Sequence, residues 1–284
     1  MAEPDQNQLL CLSKTGFHAL HYRSFGPEEA NPVICVHGLG RNGRDFDFLA
    51  GLLAAHGRRV VCPDIVGRGQ SDWLRDPMDY GYPQYLSDMS ALIARLNCRS
   101  VDWVGTSMGG LIGMMLAALP DTPIRRLVIN DVGAFIPKAA LQRILGYFGA
   151  DPIFSSYEAA ETYHREIYRS FGDLTAAQWH HLVETSLRQE GANWRLHYDP
   201  RIAEPMRAQE VTDVDLWPVW QAITCPVLLL RGAESDLLLK DTAEEMTRRG
   251  AQTELMELPG CGHAPPLLDP VQAEPVVRWL AAEP

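Results

Sequence analysis

The segment of this sequence with the clearest chemical content is Gly-Thr-Ser-Met-Gly at residues 105–109, which follows an apolar run of strand length and precedes a buried helical run. A serine at a sharp strand-to-helix turn has a strained backbone, so Gly105 and Gly109 are needed beside it to avoid Cβ clashes. The turn exposes the Ser107 hydroxyl above the strand ends and directs the Met108 N–H, at the positive end of the helix, to the same place. The pattern predicts a nucleophile with half of an oxyanion hole, although Gly-x-Ser-x-Gly also occurs as a flexible turn.

A serine nucleophile needs a base, usually histidine, and a carboxylate that orients the base. Of the nine histidines, His263 follows a strand and a glycine loop, which would deliver it to the carboxyl edge of a parallel sheet beside Ser107. Asp236 stands at the end of another loop that leaves a buried strand at this edge. Asp131, directly after an earlier strand, is the main competitor for the acid, and Glu234 is a weaker one. The sequence therefore predicts a catalytic set of Ser107, Asp236 and His263.

A parallel sheet must position these residues, because buried strands alternate with helices towards both ends of the chain. A hairpin at residues 9–12 and 17–23 is predicted at the sheet edge. The other predicted strands are 33–36, 59–62, 101–106, 126–130, 226–231 and 253–258, and the predicted helices are 45–56, 82–96, 108–119, 241–249 and 270–282. Right-handed crossovers then place helices on both faces of the sheet.

The alternation stops over residues 134–222, which we call the cap segment. It has helical patterns near 139–148, 157–170, 176–189 and 200–209 and no convincing strand pattern, and it carries four of the seven tryptophans: Trp179, Trp194, Trp217 and Trp220. Large aromatic side chains would form the core of a small helical subdomain, and some would roof an apolar pocket above Ser107.

Composition narrows the class of partner. The 284 residues, with 46% hydrophobic and 21% charged residues, are ordinary for a globular enzyme, and the net charge of −11 argues against nucleic acid or an anionic membrane. An acidic, polar start predicts no signal peptide, and no run is long enough to span a bilayer. Six scattered cysteines predict reduced thiols of a cytoplasmic protein. Neither they nor the histidine pair at 180–181 has metal-ligand spacing, so we predict neither a metal nor a cofactor.

With these motifs together, the chain resembles the α/β-hydrolase fold superfamily over essentially its full length. The shared features are the His-Gly-Leu-Gly segment at 37–40, the elbow at 105–110, the acid loop ending at Asp236 and the Gly-His pair at 262–263, which occur in that family's chain order. The resemblance implies an α/β fold with an eight-stranded, mostly parallel sheet, helices on both faces and a helical cap inserted after strand 6. The core would be residues 1–133 and 223–284, and the cap 134–222. It also implies that Leu39 supplies the second oxyanion N–H and that His37 shapes its loop.

The function predicted from these residues is hydrolysis of a carboxylic ester of a small, largely apolar molecule through an acyl-enzyme. Arg41, Asn42 and Phe46 follow the oxyanion loop and are candidate pocket residues, or simply helix-start residues. The resemblance leaves open a carbon–carbon bond or enol-lactone hydrolase. A carbon–carbon hydrolase would need a buried arginine for a dienoate carboxylate, and the candidates are Arg165, Arg169, Arg188 and Arg195. A receptor-like ligand-binding protein with weak hydrolysis is the alternative from another class. The sequence determines neither the substrate nor the oligomeric state.

Overall fold

An eight-stranded sheet runs through the computed structural model, which describes residues 3–282. Its strands, β1 to β8 in chain order, are Asp5–Ser13, Gly16–Phe25, Pro32–Val36, Arg59–Pro63, Val101–Thr106, Ile124–Asn130, Val227–Gly232 and Thr253–Leu258. Their order across the sheet is β1-β2-β4-β3-β5-β6-β7-β8. β2 is antiparallel to β1 and to β4, and the remaining neighbours are parallel. The predicted eight-stranded, mostly parallel sheet is confirmed.

Both faces of the sheet are covered, as β3 shows most simply, because all five of its residues are buried. Ile34 and Val36 belong to the hydrophobic cluster on one face, and Val33 and Cys35 to the cluster on the other, since successive side chains of a strand point to opposite faces. The helices, α1 to α10 in chain order, are Asp47–Ala55, Tyr82–Arg95, Met108–Ala117, Lys138–Tyr147, Tyr157–Ile167, Ala176–Ser186, Ala203–Arg207, Trp217–Ala222, Lys240–Arg248 and Pro270–Ala281. None of them, within the residues described, is long and apolar enough to cross a membrane.

The hairpin at the sheet edge is longer than the sequence pattern predicts. β1 begins at Asp5 because its first residues pair with β2 from Asp5 to Ser13 in an unbroken register. The first half of β1 is mostly exposed, so it has no alternation of apolar and polar residues from which the strand could be recognised.

The cap segment leaves the sheet after β6 and returns to it at β7, as predicted, and it contains α4 to α8. The prediction that it has no strand is wrong. Leu187–Glu190 and Asn193–Leu196 form an antiparallel hairpin, and Phe135–Ile136 pairs with Val214–Asp215. The sequence pattern extends the predicted helix to residue 189 and assigns no element to 190–196, because four residues per strand are too few to establish a period of two. The division into core and cap at 134 and 222 stays a prediction.

Candidate active site

Ser107 occupies the turn between β5 and α3 and has the strained backbone that its motif predicts. Its φ is 51° and its ψ is −112°, in the left-handed half of backbone space, and α3 begins at the next residue. A Cβ on Gly109 would lie 2.0 Å from the carbonyl oxygen of Val36, and one on Gly105 would lie 2.2 Å from the carbonyl oxygen of Gly109. Both glycines are therefore required for β5, β3 and α3 to approach each other at this point.

The carboxylate that contacts His263 is Asp131, the first residue after β6. Its Oδ2 lies 2.8 Å from His263 Nδ1 and accepts a hydrogen bond from Ser235 Oγ at 2.6 Å, while its Oδ1 accepts from the Gly232 N–H at 2.8 Å. Asp131 is fully buried and has a φ of 58°, a conformation that aspartate tolerates better than most residues. A buried carboxylate held by two other donors has little freedom to leave the imidazole.

Asp236, the acid that the sequence favours, does not contact His263. Its two carboxylate oxygens accept hydrogen bonds from Arg143 Nε at 2.6 Å and Nη2 at 2.8 Å, and its side chain is half exposed. Glu234 is also exposed. Both loops leave the same sheet edge, but the loop after β7 runs on for four residues and carries Asp236 outwards to α4 of the cap segment. The assignment of Asp236 as the acid beside His263 is therefore corrected to Asp131.

His263 lies on the loop between β8 and α10, and neighbouring elements fix that loop in place. The Gly262 N–H donates to the carbonyl of Ser170 at 2.7 Å, and Ser170 Oγ donates to the carbonyl of His263 at 2.5 Å. Asn130, the last residue of β6, donates from Nδ2 to the carbonyl of Pro265 at 2.8 Å. The loop is thus tied to the cap segment on one side and to the sheet on the other.

Ser107 and His263 line one cavity, which we call the His263 cavity; its walls include Arg41, Phe46, Tyr168 and Tyr198. Because Asp131 occupies Nδ1, the second ring nitrogen of His263 is the one left for chemistry. Within residues 3–282 no hydrogen bond joins Ser107 Oγ to His263. Bonds of this kind are often long or misaligned until substrate is bound.

Leu39 and Met108, the two predicted oxyanion residues, line one cavity together with Ser107. Met108 is the first residue of α3, so its N–H lies in the first turn, where backbone donors lack partners in the helix. Leu39 and Ser107 line the same two cavities. The Leu39 peptide is held from behind by Arg68, whose Nε donates to its carbonyl at 2.9 Å.

Arg68 is a residue that sequence reasoning missed. It is completely buried, lies over the ring of Tyr85, donates to the carbonyl of Val66 and places Nη2 3.6 Å from Met108 Sδ. It forms no ion pair within the part of the chain that the structure describes. An isolated buried cation is costly, and this one contacts both predicted oxyanion residues, Leu39 and Met108. The sequence did not single out Arg68, because it lies between Gly67 and Gly69 in a segment typical of a structural turn.

His37 shapes the loop before Leu39, as the resemblance implies. It is fully buried, its Nδ1 lies 2.7 Å from the carbonyl of Gly38, and its Nε2 accepts the Ile65 N–H at 2.9 Å. Burial disfavours the imidazolium and lowers the pKa of His37 to about 4. His37 is therefore neutral near pH 7 and holds the loop by two hydrogen bonds.

The predicted pocket residues divide into two groups. Arg41 and Phe46 line the His263 cavity. Asn42 instead caps the 3₁₀ helix Gly43–Phe46 and donates to the carbonyl of Thr185 at 2.6 Å, so it is not among the residues lining that cavity.

The four cap arginines that a dienoate carboxylate would need lie elsewhere. Arg165 pairs with Glu161, Arg188 with Glu190, and Arg195 with Asp151 and Glu190, while Arg169 is exposed. None of the four belongs to the His263 cavity within the described residues.

A second cavity meets the first at Ser107, Leu39 and Ile144. We call it the Met108 cavity, and its walls include Met108, Tyr82, Pro83, Leu111, Val132 and Met206. Both linings are largely apolar, but among the described residues the charged side chains, Arg41 and Asp45, and two histidines line the His263 cavity alone. A substrate can therefore approach Ser107 through two cavities, one whose described wall carries charged side chains and one whose described wall carries none.

One buried group of potential metal ligands lies away from this site. Ligand atoms of Cys11, His18 and Asp88 all lie within 4.8 Å of one another. His18 Nε2 is 3.0 Å from Asp88 Oδ2, and burial, reinforced by Asp88, raises the pKa of the Cys11 thiol to about 12. The contacts that the structure gives His18 and Asp88 are hydrogen bonds, between the two side chains and from Gln84 Nε2 to Asp88 Oδ1 at 2.7 Å.

The fold and this site define a class of protein. The chain belongs to the alpha/beta hydrolase family, whose model matches residues 33–278, and it is a hydrolase.

Particular relatives are similar over nearly the whole chain. A 3-hydroxybutyrate-oligomer hydrolase of Cupriavidus necator is 46% identical over 282 residues, which cover 95% of this chain and 96% of that protein. The lipase LipV of Mycobacterium tuberculosis is 26% identical over 91% of this chain and 96% of its own. The solved structure of an alpha/beta hydrolase from Novosphingobium aromaticivorans superimposes with a TM-score of 0.88 at 37% identity, covering 99% of each chain.

Proposed function

We propose that this protein hydrolyses carboxylic esters formed between short hydroxyalkanoic acid units, through an acyl-enzyme on Ser107. The observation that carries the proposal is the hydrogen bond of His263 to the buried Asp131, at the wall of a cavity shared with Ser107. The 46% identity to a 3-hydroxybutyrate-oligomer hydrolase supports the substrate class.

The proposed reaction begins when the Ser107 oxygen attacks the ester carbonyl and His263 Nε2 takes the serine proton. Nδ1 of His263 keeps its proton and donates it in a hydrogen bond to Asp131, so Nε2 is the free base. The negative charge of Asp131 then stabilises the imidazolium that forms. The N–H groups of Leu39 and Met108 hold the carbonyl oxygen as it becomes negative, aided by the positive end of α3.

The intermediate collapses with cleavage of the carbon–oxygen ester bond, and His263 gives its proton to the departing alkoxide. Water then attacks the acyl-enzyme, with His263 again as base, and the acid leaves. The sum is one ester and one water consumed, and one acid and one alcohol released, with no change of oxidation state.

The primary test is Ser107→Ala with p-nitrophenyl butyrate and with a fluorophosphonate probe. We expect turnover to fall by about 10⁴-fold or more, and mass spectrometry to find the probe on Ser107 of the wild type and not on the variant. Ser90→Ala, an exposed serine on α2 that hydrogen-bonds its own helix, is the matched control. Wild-type turnover by Ser107→Ala would contradict the proposal.

The substrate class is tested with the wild type on a panel of a 3-hydroxybutyrate dimer, an enol lactone and a meta-cleavage dienoate. The proposal predicts that the dimer has the highest kcat/KM. Preference for the dienoate or the lactone would instead support the alternatives of carbon–carbon or enol-lactone hydrolysis. Saturable binding without acylation by the probe would support a receptor.

A further inference from the structure

The one arginine that the structure places in the described wall of the His263 cavity is Arg41, three residues after Gly38. Its side chain is 5% exposed. Arg41 Nε lies 3.0 Å from both carboxylate oxygens of Asp45, Nη2 also contacts Asp45, Nη1 contacts Ser186 Oγ, and the guanidinium lies over the ring of Tyr168. Burial acts to lower the pKa of Arg41, but Asp45 and, after it, Tyr168 more than compensate and raise it, so the group stays charged.

The contacts with Asp45 and Ser186 leave binding capacity on Arg41. A guanidinium has five N–H groups, and these contacts use three of them, one each on Nε, Nη1 and Nη2. One N–H on each terminal nitrogen is left, and such donors form charge-assisted hydrogen bonds with a carboxylate. Burial raises the pKa of the neighbouring Tyr168, although Arg41 acts to lower it, so a protonated phenol lies beside the guanidinium.

The two cavities determine the orientation in which an ester binds at Ser107. His263 must protonate the departing alcohol, so the alcohol half of the ester lies on its side of Ser107, in the His263 cavity. The acyl half then lies in the largely apolar Met108 cavity. In a linear oligomer of hydroxy acids, the alcohol half always contains the free carboxylate. Only when the last bond before the carboxyl end is cut is that carboxylate on the unit next to the reacting ester. That carboxylate enters the cavity that holds Arg41.

From this geometry, and resting on the ester hydrolysis proposed above, we propose that Arg41 binds the free carboxylate of the substrate's alcohol half. The protein then cleaves oligomers of hydroxy acids from their carboxyl end and releases one hydroxy acid per turnover. Asp45 and Ser186 position the guanidinium, and they leave its outer N–H groups to the substrate.

The test compares a 3-hydroxybutyrate dimer with the same dimer whose carboxylate is converted to a primary amide, which carries no second ester. For the wild type we expect kcat/KM to be about 10- to 100-fold higher for the acid, mostly through KM, as suits charge-assisted hydrogen bonds. Arg41→Met should bring the acid-to-amide ratio close to one. Arg165→Met, an exposed cap arginine paired with Glu161, should keep the wild-type ratio.

Removing Arg41 alone would leave the charge of Asp45 unpaired. That charge would repel an acidic substrate and lower the acid-to-amide ratio even if Arg41 did not bind the carboxylate. The double variant Arg41→Met, Asp45→Asn removes both charges, and the proposal predicts that it also shows a ratio close to one. Asp45→Asn alone keeps the arginine and should keep or increase the preference for the acid.

Two different failures are distinguishable. If the double variant retains the wild-type ratio, or if the wild type does not prefer the acid, then Arg41 is not the carboxylate site although ester hydrolysis stands. If the wild type turns over neither dimer but cleaves p-nitrophenyl butyrate, then the proposed substrate class fails and the carboxylate site fails with it.

Discussion

The most decisive prediction concerns which aspartate orients His263, and the perturbation is Asp131→Asn. The amide oxygen can still accept the Gly232 N–H that Asp131 Oδ1 accepts at 2.8 Å. The amide nitrogen at the other position is a donor, so it cannot accept the His263 Nδ1 proton as Oδ2 does. His263 is then stabilised in the other tautomer, with Nε2 protonated and unable to take the Ser107 proton.

The expected size of the loss in kcat follows from this change in the tautomer of His263. Reversing the tautomer of a catalytic histidine by such an amide substitution lowers kcat by about 10⁴-fold, which is about 5 kcal/mol of transition-state stabilisation. KM should change little, because Asp131 is fully buried and reaches the cavity through His263. Asp236→Asn is the matched control. It breaks an exposed ion pair with Arg143, which is worth about 1 kcal/mol or less to stability, and kcat should stay within about threefold of the wild type.

The assay is steady-state hydrolysis of p-nitrophenyl butyrate by both variants, with thermal unfolding followed by circular dichroism to verify that each is folded. A loss of less than tenfold in Asp131→Asn, while the protein remains folded, would refute the reasoning. So would a large loss in Asp236→Asn with an intact fold, because it would show that the loop after β7 supplies the acid.

Three further predictions concern the surroundings of Ser107. Arg68→Met should lower kcat about 10²-fold with a smaller change in KM, because the Leu39 carbonyl loses its donor and the oxyanion amides lose their support; an effect confined to KM would exclude this role. Gly109→Ala should destabilise the protein by roughly 3 kcal/mol or more, since its Cβ would lie 2.0 Å from the Val36 carbonyl, and an unchanged Tm would contradict the close approach. His37 has a lower pKa in the folded state, about 4, than in the unfolded state, about 6.5. The contribution of neutral His37 to the free energy of unfolding should therefore be fully present above pH 6.5, and roughly 3 kcal/mol of it should be lost as the pH drops towards 4. When the free energy of unfolding is measured in urea between pH 4 and 7, it should depend less on pH in His37→Gln than in the wild type. The same pH dependence in both proteins would show that His37 does not contribute to it.

Several features of the fold could be predicted from the sequence because they are local. A continuous apolar run predicts a strand buried on both faces, and β3 has all five residues buried. The glycines on either side of Ser107 predict a tight crossing of strand and helix, and a Cβ added to either one would lie only 2.0 to 2.2 Å from a backbone carbonyl oxygen. The short cap strands escaped detection because hydrogen bonds between segments define them more than any pattern of their own residues does.

The amino-acid order by itself determined where the sheet edge would lie and which loops would reach it, since strand ends and turn residues act over a few positions. Only the tertiary structure decided which of two aspartates at that edge meets His263, because a backbone turn at φ 58° directs Asp131 inwards and Arg143, 93 residues from Asp236, holds the other acid outwards. The same holds for Arg41, whose partner Ser186 lies 145 residues away. Such contacts depend on how the cap segment packs on the sheet, and packing is a property of the whole chain.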